Sequence, residues 1–120
     1  MINYYFQKFS HRLTLFVFCL VSFNSFSNEI TLNEQAYRAM QQGRYTESFT
    51  QSKFALQKAI EENNLAEQAR AYSNIASNYR YLGESKKALS NYLKSLDIAK
   101  KINHIEGMLR VINNIASIYI

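Results

Sequence analysis

Proline and tryptophan are absent from this 120-residue chain, and glycine occurs only at Gly43, Gly83 and Gly107. A chain with so few obligatory breaks, and with abundant Ala, Leu, Lys, Gln and Glu, reads as helical. Cysteine is limited to Cys19 and histidine to His11 and His104. With no Gly-rich phosphate loop and no nucleophile motif, nothing points to catalysis, and neither a metal site nor a cofactor is expected. His104 stands alone in a turn, where a capping role outweighs a ligating one. Glu61 and Glu62 are adjacent, so they sit on different faces of a helix rather than forming an acid/base pair. No basic run or aromatic-basic interleaving is present, which argues against nucleic-acid binding despite a formal net charge of +5.

Long apolar runs are also missing, with one exception. Lys8, His11 and Arg12 lead into Leu13-Thr14-Leu15-Phe16-Val17-Phe18-Cys19-Leu20-Val21-Ser22-Phe23, and Ser25-Phe26-Ser27 then supplies a small-x-small site. This is the pattern of a secretory signal peptide over residues 1–27. The run falls short of the roughly 20 apolar residues of a comfortable span, although a short uncleaved anchor is the alternative. Val17 and Phe18 before Cys19 are too bulky for a lipoprotein attachment site. Cleavage after Ser27 leaves a chain starting at Asn28 without cysteine, hence without disulfides. Removing Lys8 and Arg12 from the 14 Lys+Arg leaves a charge of +3 against 9 Asp+Glu. The expected location is periplasmic or secreted.

What the remainder has in abundance is itself. Asn74-Ile75-Ala76-Ser77 recurs as Asn114-Ile115-Ala116-Ser117, Tyr79 recurs as Tyr119, and Arg70 as Arg110, each 40 residues on. Such a fixed period marks a solenoid whose units bury their apolar faces against their neighbours. Five helices are expected: Thr31 to Gln42, Tyr45 to Glu62, Leu65 to Leu82, Lys86 to Ile102 and Ile105 to Ile120. Gly43 and Gly83 fall where left-handed C-terminal caps are wanted, with Asn63-Asn64 and Asn103-His104 as the turns back. Ala69, Tyr72, Ile75, Ala76, Tyr79 and Leu82 make one apolar stripe on the third helix; Ala88, Leu89, Tyr92, Leu93, Leu96 and Ala99 make one on the fourth.

The run Tyr72-x2-Ile75-Ala76-x2-Tyr79, then Gly83, then Ala88-x3-Tyr92, resembles the tetratricopeptide repeat pattern. Ile112-x2-Ile115-Ala116-x2-Tyr119 repeats its first half, and Ala36, Gly43-Arg44-Tyr45 and Ala55-Leu56 are a weaker first unit. The resemblance implies an all-α fold, a right-handed α-solenoid of antiparallel helix pairs divided as residues 31–64, 65–104 and 105–120, truncated within the third repeat. Two departures from the family are its period of 40 rather than 34 and Lys100 in place of the closing proline. The added residues are most simply read as longer second helices. Repeats of this length resemble those in the sensory halves of bacterial envelope signalling proteins and in large regulatory ATPases.

That family uses the first helix of each pair to line a groove for proteins or peptides. The resemblance therefore implies a groove set of Arg70, Ser73, Asn74, Ser77, Arg80 and Tyr81, repeated as Arg110, Asn113, Asn114 and Ser117. Asn74 and Asn114 match the slot that grips a peptide backbone, with Glu34 in the first unit's slot. Arg70 and Arg110 suit acidic side chains or a C-terminal carboxylate. The duller alternative is a solvated face with the two asparagines bonding between helices. The packing set is Tyr72, Ile75, Ala76, Tyr79, Gly83, Ala88, Tyr92, Ile112, Ile115, Ala116 and Tyr119. Lys86-Lys87 and Lys100-Lys101 read as solvated surface. Because the third unit stops within its first helix, Ile112, Ile115, Tyr119 and Ile120 are expected to form an uncovered apolar strip, favouring partner binding or self-association. The expected protein is a non-enzymatic exported binding scaffold: the front of a longer signalling protein, a free-standing adaptor, or a truncated gene product.

Overall fold

The computed structural model describes residues 30–120; the segment expected to be a signal peptide, residues 1–27, lies outside the described residues. Five helices follow one another: α1 (Leu32–Gln41), α2 (Tyr45–Glu61), α3 (Leu65–Tyr81), α4 (Ser85–Lys101) and α5 (Ile105–Tyr119). Each boundary lies within a residue of the sequence expectation. All of the regular structure among the described residues is helical.

The breaks explain the regularity. Gly43 and Gly83 have φ of +75°, Asn63 and Asn103 have φ of +53°, and these four left-handed positions recur every twenty residues. Asparagine tolerates this region better than other non-glycine residues. At each break two backbone bonds close the preceding helix: Gly43 N–H to Met40 O and Arg44 N–H to Ala39 O, and likewise Asn63 to Ile60 with Asn64 to Ala59. Gly83 to Arg80 with Glu84 to Tyr79, and Asn103 to Lys100 with His104 to Ala99, complete the set. This is the Schellman arrangement, which satisfies carbonyls that the helix end leaves open. Thr31 and Asn64 cap α1 and α3 from the other side, accepting from Glu34 N–H at 3.2 Å and Glu67 N–H at 3.1 Å.

Helices α2, α3 and α4 are each 17 residues long. In the α3–α4 pair the two helices are thus equal, where a longer second helix is expected, whereas in the first pair α2 is the longer, since α1 has 10 residues. Each turn reverses the chain, so α3 and α4 run antiparallel: Ser77 meets Tyr92, and Ser95 meets Ala69.

The contacts are built from small residues. Ala36, Ala39, Ala55, Ala59, Ala71, Ala76, Ala88 and Ala99 are all buried, letting helix axes approach closely. Tyr92 fills the space beside them. It is wholly buried and packs with Ala76, Ala88, Leu96 and Val111, with Tyr79, Met108, Ile115 and Ile118 around the edge. Phe49 meets Tyr79 edge-on at 5.0 Å and Tyr45 stacks on Tyr81 at 4.8 Å, joining α2 to α3.

Buried polar atoms are mostly matched, within a helix or between helices. Ser52 Oγ donates to Ser48 O at 2.7 Å, Ser95 Oγ donates to Ala69 O at 2.6 Å, and Asn78 Nδ2 donates to Ser48 Oγ at 3.0 Å.

Several packing assignments need correction. Ile75, Ala76, Ala88 and Tyr92 are buried, and Tyr72 and Tyr79 half-buried, but Leu82 and Leu93 are exposed rather than part of their stripes. Gly83 packs against nothing; it turns the chain. On α5 only Ile115 joins the core. Ile112, Ala116 and Tyr119 are exposed, while Val111, a residue outside the expected set, is buried against Tyr92. The inner face of α5 is thus Met108, Val111, Ile115 and Ile118, one step around the helix from the stripe expected to pack.

Candidate functional site: the groove along the first helices

In a stack of antiparallel pairs, helices of odd number share one side. Here α1, α3 and α5 enclose a groove of about 410 Å³ lined by Asn33, Glu34, Tyr37, Arg70, Ser73, Asn74, Ser77, Glu106, Arg110 and Asn114. The spacing on α3 explains why: Arg70, Ser73, Asn74 and Ser77 lie at three- and four-residue steps, and so share a face. The same face of α1 carries Asn33, Glu34 and Tyr37, and that of α5 carries Glu106, Arg110 and Asn114.

Six of the ten expected groove residues line this space: Arg70, Ser73, Asn74, Ser77, Arg110 and Asn114. The other four do not. Arg80 and Ser117 bond to each other across α3 and α5, beyond the groove, and Ser117 Oγ donates to Asn114 O at 2.6 Å. Tyr81 is spent on Tyr45 of α2. Asn113 is exposed on α5 away from the lining. Arg80, Tyr81 and Ser117 follow the same helical spacing but are engaged by the partners just named, whereas Asn113 lies off the lined face.

Asn33, Tyr37 and Glu106 were missed. The period points to them: Asn33 and Tyr37 stand 40 residues before Ser73 and Ser77, and Glu106 lies one turn ahead of Arg110. Their identities differ from their counterparts, which hides the relation from a search for repeated letters.

The floor is held by a buried network. Asn33 Nδ2 donates to Glu67 O at 2.9 Å and to Glu67 Oε2 at 2.8 Å, tying α1 to the start of α3. Asn74 Nδ2 donates in turn to Asn33 O at 3.0 Å, with Asn33 Oδ1 at 3.3 Å. The duller alternative for Asn74 is therefore what its amide N–H groups do: they join helices. Ser77 is similarly engaged, sharing a hydrogen bond of 2.8 Å with the Tyr92 hydroxyl. Asn114, by contrast, makes no side-chain hydrogen bond among the described residues.

The charges alternate. Glu34 pairs with Arg38 at 2.6 Å, Arg70 lies 3.6 Å from Glu67, and Arg110 pairs with Glu106 at 3.1 Å. The Glu34–Arg38 and Glu106–Arg110 pairs are exposed, Glu67 is half-buried, and each pair is worth at most about 1 kcal/mol. Within the lining two arginines face two glutamates, so the surface is mixed rather than a purely cationic carboxylate clamp. Among the described residues no group of three or more His, Cys, Asp or Glu side chains is placed to hold a metal ion. No helix among them is long and apolar enough to cross a membrane.

The tetratricopeptide repeat family profile matches residues 28–101. The chain belongs to the tetratricopeptide repeat family. This covers well over half of the sequence and agrees with the consecutive antiparallel helices. No curated protein and no solved structure matches the chain significantly. Members of this family are protein-interaction modules, and the tetratricopeptide repeats here form such a scaffold.

Proposed function

We propose that this scaffold binds an extended segment of another protein along the groove between α1, α3 and α5. The observation that carries the reading is the convergence of six sequence-singled residues from two repeats onto one lined space, joined by Tyr37. Alternating charge and a single aromatic face suit a mixed polar peptide better than a strongly acidic tail. Tyr37, Arg70 and Arg110 are exposed and open to contact, and Asn114 is half-exposed with its amide unbonded among the described residues; Asn74 and Ser77 mainly fix the floor.

We further propose that binding takes place outside the cytoplasm. The basic start, the apolar run from Leu13 to Phe23 and the Ser25-Phe26-Ser27 site support export to the periplasm or beyond. The long period supports kinship with the sensory segments of envelope signalling proteins, so the bound segment would be an envelope protein or peptide.

A random-peptide phage library panned against the full chain tests the first part. Peptides selected on the native chain should lose at least tenfold in affinity to Arg110→Glu and to Tyr37→Ala, both exposed substitutions that leave the circular dichroism melt unchanged. Selected peptides that bind both variants normally refute the groove. Fusing residues 1–30 to an alkaline phosphatase reporter, active only after export, tests the second part.

A further inference from the structure

The net charge of the described residues sits on one helix. Leaving out Lys8, Arg12 and Glu29 from the chain's 14 Lys+Arg and 9 Asp+Glu gives 12 against 8 over residues 30–120. Helix α4 holds five of those cations, Lys86, Lys87, Lys94, Lys100 and Lys101, with Asp97 as its one acid, a net of +4. The other described residues carry seven of each sign and are neutral together. Most cations elsewhere have a partner: Arg38, Arg44, Lys58, Arg70 and Arg110 each pair with a glutamate three or four residues away. On α4 only Lys87 does so, with Glu84. Lys94 lies over the Tyr72 ring at 5.6 Å. Lys86, Lys100 and Lys101 are exposed, with neither a carboxylate nor a ring in reach among the described residues.

Their spacing sets them in a row. Lys86, Leu93 and Lys100 recur at seven-residue steps, close to two helical turns, and Lys101 stands beside Lys100. The buried residues Ala88, Tyr92, Ser95, Leu96 and Ala99 take the opposite side of α4, so the row faces outward, with Leu93 46% exposed at its middle. From Lys86 to Lys101 it runs about 22 Å. No α4 residue lines the groove of the first helices or the cavity of about 750 Å³ beside the start of α1, so the row is a ridge rather than a cleft. We propose that this ridge rests on an anionic phospholipid bilayer, with α4 along the membrane plane and Leu93 entering the headgroup boundary. Lysines are compact point charges without the fork by which arginine grips a single carboxylate, and a row of them suits a diffuse field of phosphates. Lysines bracketing an exposed leucine on one helix face are the pattern of a membrane-surface helix. An acidic protein segment would want a cleft to lie in, which the ridge lacks. Phe54, 59% exposed on α2 forty residues before Lys94, gives the same side of the stack a second apolar contact. This is the side of the even-numbered helices, away from the groove, so the inference does not rest on peptide binding there.

The test is flotation of the full chain with vesicles of phosphatidylcholine and phosphatidylglycerol, against vesicles of phosphatidylcholine alone. A lysine close to an anionic leaflet is worth about a fivefold gain in partitioning, so Lys86→Gln, Lys100→Gln and Lys101→Gln together should lose at least about tenfold on the anionic vesicles. On the neutral vesicles they should lose nothing, and any contribution from residues 1–29 is common to both proteins. Removing three cations elsewhere, by Arg38→Gln, Arg44→Gln and Lys58→Gln, should cost less than about threefold, and about 0.5 M salt should erase the preference for anionic vesicles. All six positions are exposed, so an unchanged circular dichroism spectrum verifies the fold. In a Cys19→Ser chain, an environment-sensitive fluorophore on Ser90→Cys should shift to the blue on anionic vesicles, while one on Asn113→Cys should not. Equal affinity for the two vesicle types, α4 variants that bind normally, or an unshifted fluorophore at Ser90 overturns the proposal. So does lysine-dependent binding that is tighter to soluble poly-aspartate than to the vesicles, which would assign the ridge to an acidic protein.

Discussion

The hydrogen bond between Ser77 and Tyr92 offers a sharp test of how the stack is held. Both residues are buried and their hydroxyls lie 2.8 Å apart, surrounded by Ala76, Ala88, Leu96 and Val111. A net hydrogen bond contributes about 1 kcal/mol, while leaving one buried partner unsatisfied costs about 1–3 kcal/mol. Tyr92→Phe and Ser77→Ala should therefore each destabilise by about 1–2 kcal/mol, and the double variant by less than their sum. The expected coupling is about 1 kcal/mol. Tyr92→Ala should cost far more, about 3–5 kcal/mol, because it leaves a cavity the size of a ring. Against a total on the order of 5–10 kcal/mol for such a domain, that is close to unfolding.

Urea titrations followed by circular dichroism at alkaline and neutral pH measure all of these. The pH arm carries a second expectation. Burial pushes the Tyr92 hydroxyl above its ordinary value of 10.0, partly opposed by the bond from Ser77. The unfolded chain therefore loses this proton first as pH rises. The stability it contributes is fully present below pH 10 and is lost as pH climbs through the raised folded value, at up to about 1.4 kcal/mol per pH unit. Tyr92→Phe should remove that slope. Additive costs in the cycle, or an alkaline slope unchanged in Tyr92→Phe, would refute the view that this pair is a buried, mutually satisfied contact.

Three further expectations follow from the same geometry. Ala76→Arg buries a charge at a wholly buried helix contact and should cost more than about 3 kcal/mol, enough to abolish a cooperative melt, whereas Ala116→Arg at the equivalent exposed position should leave the melt within about a few tenths of a kcal/mol. At Gly83 an added Cβ meets nothing within 4 Å, so Gly83→Ala should cost only the left-handed backbone term of about 1–2 kcal/mol; Asn103→Gly should be neutral or slightly stabilising, both read from urea midpoints. Asn33→Ala removes the donor to Glu67 and part of the acceptor for Asn74, and should cost about 1–3 kcal/mol, with hydrogen exchange rising first in α1.

The helices, their ends and their antiparallel order were legible because the same signal is written several ways at once. Gly43, Asn63, Gly83 and Asn103 are punctuation that only a left-handed residue supplies comfortably, and the apolar steps between them have one period. The inner and outer faces of α5 were not separable. Ile112, Ile115, Ala116 and Tyr119 form an apolar pattern wide enough to serve either side of the helix, and only the position of α4 decides that Val111 and Ile115 turn inward. In the groove, the α3 residues were readable from their repetition on α5. Asn33 and Tyr37 share their position but not their identity, so likeness of letters could not reveal them. Buried polar pairs such as Ser95 with Ala69 O depend on a neighbour 26 residues away, and no local pattern announces them.

The same first helix thus serves three surfaces, and their demands compete. A side chain that grips a ligand must keep its donors available, yet one that fixes the neighbouring helix must spend them. Asn74 has spent its amide on Asn33, and Ser77 its hydroxyl on Tyr92, so in the middle of the stack the repeated polar residues have become structure. Arg110 and Asn114 occupy the equivalent place on α5, where no further first helix lies beyond them among the described residues. Identical letters forty residues apart can therefore carry different work: the inner copy sets the spacing of the groove, and on the proposed peptide binding Arg110 and Asn114, whose side chains make no bond to a neighbouring helix among the described residues, are the copy that contacts the ligand. For this reason Arg110→Glu should weaken peptide binding without touching stability, while Asn33→Ala, acting through the floor, should disturb both together.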